Sequence, residues 1–131
     1  MSPHDEGATL RARHPSSRAR RAVRFAHPSE EFFSHLLDLY GLEWDYEPYE
    51  FPLAWDDAGH VTRGFRPDFY LPAERLFVEL TVSAQPLVTR KNRKIREFRA
   101  LYPEVDLKVV YRRDFVELVE RHRVEIERAV A

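Results

Sequence analysis

The sequence predicts an α/β sandwich built on a mixed central sheet, and three observations carry that expectation. Helical apolar spacing opens the well-populated hydrophobic part of the chain and returns twice towards its end. Short runs of β-branched and aromatic residues, bounded by Pro, Gly and Asp, fall between these segments. The implied order is helix, three strands, helix, strand, helix, which packs as layers around one core. At 131 residues and 44% hydrophobic composition, the chain amounts to one domain with material for a sizeable core.

Residues 1–24 are rich in Arg, Ser, Ala and Pro, and a disordered basic tail is expected there, followed by a single domain over 25–131. Ser29 after Pro28 reads as a helix N-cap, with Glu30 and Glu31 placed to complement the helix dipole. Phe32, Phe33, Leu36, Leu37 and Tyr40 recur at helical spacing, and Gly41 supplies the stop. Residues 44–55 read as extended, with Pro48 and Pro52 marking an edge or a bulge. Residues 56–60 form a turn. Two strands follow, 61–71 and 76–82, joined through Pro72-Ala73-Glu74-Arg75. A second helix spans about 86–101 and ends ahead of Pro103. Residues 107–111 form a mostly apolar strand, and Asp114 caps a last helix carrying Phe115, Leu118 and Val119.

Composition narrows the chemistry. The chain contains no cysteine, which excludes disulfides and thiolate metal sites and leaves oxygen and imidazole as ligands. It has no apolar run near the ~20 residues of a membrane helix. Its polar, arginine-rich start lacks the apolar region of a secretory signal, so a cytoplasmic protein without a membrane partner is expected. Gly-rich phosphate loop, HExxH and nucleophile-elbow patterns are all missing, which removes support for nucleotide hydrolysis, zinc proteolysis and esterase chemistry. The net charge of −1 hides segregation. Residues 43–57 hold six acids and no base, whereas 86–102 hold six bases against Glu97 alone. A basic segment of this kind suits a polyanion.

The segment 66–81 is the most informative. With 72–75 as the turn, Leu71 pairs with Leu76, Tyr70 with Phe77 and Phe69 with Val78, which sets Asp68 opposite Glu79. Phe69, Leu71, Leu76, Val78 and Leu80 then share an apolar face, while Asp68, Glu79 and Thr81 lie on the other. Like charges opposite one another destabilise a sheet, and a buried lone Glu is costly. A bound divalent cation would relieve both penalties, hard oxygens favouring Mg²⁺, Mn²⁺ or Ca²⁺. A solvated sheet end, or neutralisation by Arg66 or Arg63, would also relieve them.

At these residues the sequence resembles the PD-(D/E)XK nuclease superfamily. Pro67-Asp68 and Glu79-Leu80-Thr81 stand at the two halves of its signature, and the element order over about 25–120 matches its core. The resemblance implies a three-layer α/β/α, restriction-endonuclease-like fold. It also implies Asp68 and Glu79 as ligands of Mg²⁺ or Mn²⁺, with the Leu80 carbonyl as a third. The superfamily often adds an acid from the first turn of the preceding helix, which implies Glu31, with Glu30 next in line. For either acid taken singly, ordinary dipole complementation is the stronger reading.

Thr81 stands where the family pattern has Lys. Either the domain is inactive or a lysine from elsewhere takes the role. At ~100° per residue, Lys91 falls on the centre of the second helix's apolar stripe of Leu87, Val88, Ile95, Phe98, Leu101 and Tyr102. Lys94 lies about 60° to its side. Lys91 is the candidate for the displaced charge and Lys94 the reserve, against the alternative of a snorkelling lysine near a helix end. The expectation is a metal-dependent endonuclease acting on nucleic acid, DNA first, with Asp68, Glu79 and Lys91 catalytic. Arg66, Arg90, Arg93, Lys94 and Arg96 would contact nucleic acid, and cutting both strands would call for a homodimer. An inactive nucleic-acid-binding module and a domain that docks an acidic protein are the alternatives. His60 reads as an exposed loop residue.

Overall fold

The structure is a computed structural model and describes residues 23–82 and 84–130. Most of the expected tail lies outside the described residues. Val23, at its end, packs against the core. Among the described residues the elements run α1 (Pro28–Leu39), β1 (Asp45–Tyr46), β2 (Phe51–Trp55), β3 (Val61–Phe65), β4 (Phe69–Leu71), β5 (Leu76–Thr81), α2 (Gln85–Leu101), β6 (Leu107–Tyr111) and α3 (Arg112–Val130). A mixed four-stranded sheet has the order β1-β4-β5-β6, antiparallel except for the parallel pair β5 and β6. The chain is thus mixed α/β, as the patterning implied.

Alternation along the strands sorts side chains into two cores. Phe69, Leu71, Val78, Leu80 and Val110 face α1 and α3, meeting Phe33, Leu36, Leu37 and Ile126. Tyr70, Phe77 and Val109 face the other way, meeting Ile95 and Phe98 of α2 and Phe51, Leu53 and Phe65 of the β2–β3 hairpin. Phe69 has no exposed surface and touches the rings of Phe25, Phe33, Trp44 and Tyr46. The β4–β5 register is the expected one, with Phe69 opposite Val78, Tyr70 opposite Phe77 and Leu71 opposite Leu76.

Several expectations are corrected. The strand expected over 61–71 is two strands in two sheets. Arg66-Pro67 separates them, since Pro67 lacks the N–H a ladder needs. The extended stretch 44–55 likewise divides into β1 and β2, and β2 carries the irregular register expected beside Pro52. His27, not Ser29, is the cap residue of α1, because Pro28 already occupies the first turn. Gly41 does close α1: at φ 68° its N–H reaches the Asp38 carbonyl and that of Leu42 reaches Leu37, a Schellman ending. α3 starts directly after β6, which puts Asp114 in its first turn rather than at its cap. On α2 the buried stripe is narrower than expected, because Leu87 and Leu101 are exposed. No helix among the described residues is long and apolar enough to cross a membrane.

Because Phe69 is buried against four other aromatic rings, Phe69→Ala is expected to cost about 3–5 kcal/mol of stability. Trp55→Ala, on the exposed end of β2, should cost within about 0.5 kcal/mol. Urea midpoints of the two variants against the parent chain test the contrast.

Candidate functional site

Asp68 and Glu79 lie just past the last paired residues of the β4–β5 ladder, where the strands have begun to part. The ladder's missing backbone bonds are replaced by side-chain bonds. The Asp68 N–H donates to Glu79 Oε1 at 3.1 Å, and the Leu80 N–H donates to Asp68 Oδ2 at 2.8 Å. On its other side the Asp68 carbonyl accepts from the Glu47 N–H at 2.8 Å, so the residue is held from both neighbouring strands. Glu47 adopts φ 45° to do so, an uncommon conformation for a non-glycine residue and one that collects near functional sites.

Both acids are buried, Asp68 at 5% and Glu79 at 3% exposure, so the solvated-end alternative is excluded. Arg63 and Arg66 are not the neutralising groups either. Arg63 pairs with Glu97, and Arg66 binds the Glu47 carbonyl at 3.0 Å and Glu50 at 3.7 Å. The counter-charge is Lys91. Its Nζ stands 3.2 Å from Glu79 Oε2 and donates to the Leu80 carbonyl at 2.6 Å. α2 covers the sheet face that carries Asp68 and Glu79, and Lys91 lies on the inward side of its second turn, a turn before Ile95. Lys94 is directed elsewhere, to the Gly64 carbonyl of β3 at 2.9 Å.

Burial is the main force on both carboxyls and raises their pKa values, because a charged carboxylate loses solvation there. Asp68 is raised further by the Glu79 charge beside it and reaches about 8, against the pull of the Leu80 N–H and Lys91. Glu30 adds to the same push on Asp68. Of the two acids in the first turn of α1, Glu30 is therefore the one near the site. It is buried, and its Oε1 accepts from the Tyr46 hydroxyl at 2.5 Å and from the Ala26 N–H at 3.1 Å. Glu31, the acid first expected there, is exposed and faces His35 at 3.8 Å. The signal for Glu30 was present: it precedes Phe33 and Leu37 by three and seven residues, whereas Glu31 aligns with His35 and Asp38. Tyr46 carried no such signal. Burial and the bond to Glu30 raise its pKa.

Arg90, Arg93 and Arg96 are exposed on α2. His60 is exposed in its turn, 3.4 Å from Asp56. Thr81 is buried, and its hydroxyl has no hydrogen-bond partner among the described residues. The donor set at the pair consists of the two carboxylates and the Leu80 carbonyl. Hard oxygens in that number suit Mg²⁺ or Mn²⁺, which keep several waters of their own. No group of three His, Cys, Asp or Glu able to hold a metal is found among the described residues. No protein-family model, curated protein or solved structure matches the chain.

Asp68 binds its proton more tightly folded than unfolded, so folding is favoured most where both states are protonated. Stability should fall as the pH rises from about 4 to about 8, and level off above that. Asp68→Asn keeps an acceptor for the Leu80 N–H but cannot ionise, so its stability should vary less over that range. Melting both chains without added metal across those pH values tests the sign.

Proposed function

We propose that the chain is a metal-dependent endonuclease of the PD-(D/E)XK type, acting on nucleic-acid phosphodiesters, DNA first. The observation that carries the reading is the Lys91 ammonium on Glu79 and the Leu80 carbonyl, opposite Asp68. It brings two acids and a lysine together although Thr81 takes the place of the signature lysine. The mixed sheet, with α1 and α3 on one face and α2 on the other, is compatible with a restriction-endonuclease-like core.

Asp68 and Glu79 would hold the ion. A bound Mg²⁺ or Mn²⁺ supplies positive charge against a phosphate oxygen and a more acidic water. Lys91 would stabilise the negative charge that develops on the phosphate as the bond is cut. Arg90, Arg93 and Arg96 would grip flanking phosphates, giving affinity that falls with salt and reads little sequence. Arg66 and Lys94, expected in the same role, are engaged by the chain's own carbonyls and contribute less. One site per chain cuts one strand, so double-strand cleavage would need a pair of chains.

A second reading has its own support. Lys91 neutralises the acidic pair from within the chain, so the like-charge argument does not by itself demand a metal. An inactive module that binds nucleic acid through α2 would look the same.

Nicking of supercoiled plasmid separates the two. The nuclease should nick with Mg²⁺ or Mn²⁺, stop with EDTA, and lose about a hundredfold or more in rate in Asp68→Asn, Glu79→Gln and Lys91→Ala. Nicking that persists in EDTA or in Asp68→Asn would defeat the proposal. Salt-sensitive binding that survives EDTA, with no cleavage under either ion, would establish the inactive module instead.

A further inference from the structure

The ammonium of Lys91 sits on two of the oxygens that a cation at the acidic pair would need. Its Nζ is 2.6 Å from the Leu80 carbonyl and 3.2 Å from Glu79 Oε2. A Mg²⁺-sized ion lies at about 2.1 Å from its oxygen ligands. Bound to the same Glu79 oxygen, it would stand only a few ångströms from the ammonium, and burial would leave their repulsion weakly screened. The acids have no room to separate, since each is tied to a backbone N–H of the opposite strand. The lysine does have a way out. Its side chain is 29% exposed, and its flexible four-carbon stem can lift the ammonium into water.

We propose that Lys91 is an internal counter-ion holding the cation's place at Asp68 and Glu79, and that a divalent cation binds by displacing it. The proposal rests on the nuclease reading and deepens it. Displacement frees the Leu80 carbonyl and the Glu79 oxygen together and releases an ammonium at the mouth of the site, where a phosphate would arrive. Without a metal the same ammonium keeps the carboxyl pair compensated. The site would thus exchange one positive charge for two on loading, and the lysine would become available only once the ion is in place.

The chain has three lysines, Lys91, Lys94 and Lys108, which makes acylation footprinting by mass spectrometry direct. On the full-length chain, saturating Mn²⁺ should raise the labelling rate of Lys91 several-fold, with Lys94 and Lys108 unchanged as references. In calorimetry, Lys91→Gln should bind Mn²⁺ about tenfold tighter or more, the effect of removing one like charge at this distance. Gln retains an N–H for the Leu80 carbonyl, which protects the fold, and the footprint needs no variant. Mn²⁺ binding with Lys91 labelling unchanged, or with Lys91→Gln binding no tighter, would overturn the displacement while leaving the metal site standing. Absence of Mn²⁺ binding in both chains would overturn the metal site itself, and the displacement with it.

Discussion

One contact governs the centre of this molecule: an ammonium carried by a helix, set against two carboxyls buried at the fraying end of a hairpin. Asp68 and Glu79 are shielded from water and lie beside one another, an arrangement that costs free energy unless a positive charge is near. Lys91 supplies that charge, and three elements meet to bring it there. β4 presents Asp68, β5 presents Glu79 and the Leu80 carbonyl, and α2 lays Lys91 across them. The rest of the fold fixes their relative placement. The aromatic cluster around Phe69 anchors β4 from behind, and Phe98 and Ile95 anchor α2 in front.

The hairpin was legible because its pattern allows one answer. Phe69, Leu71, Leu76, Val78 and Leu80 must share a face, and a slip of one residue would turn them all to the wrong side. From that register the pairing of Asp68 with Glu79 follows by counting. Lys91 was legible for the same kind of reason: it is polar at an angle where its neighbours along α2, Ile95 and Phe98, are apolar. The charge partner suggested for it was already on the page of the sequence.

What could not be read depends on contacts distant in the chain. Pro67 is a local signal for a break within 61–71, but that the two halves join different sheets depends on the β2–β3 hairpin packing over α2, which nothing local shows. The Glu30–Tyr46 bond joins α1 to β1 across sixteen residues and depends on how β1 docks on β4. His122 shows the same limit. It is buried on α3 and meets the Tyr40 hydroxyl at 3.1 Å, eighty-two residues away. Cap positions shifted because Pro28 competes with Ser29 for the start of α1, a contest that propensity alone does not decide.

The site is unequally tolerant of changes in chain length. The turn at 72–75 joins two strands whose pairing is set by their own side chains, so a residue gained there can bulge outward. The stretch of α2 from Lys91 to Ile95 is different, because it sets the angle at which Lys91 leaves the helix. One residue added between Lys91 and Ile95 would turn Lys91 by about 100° about the helix axis relative to Ile95 and Phe98, away from Glu79. Length is therefore a constraint within α2, and the spacing between the lysine and the apolar residues that seat its helix is as much a part of the site as the residues themselves.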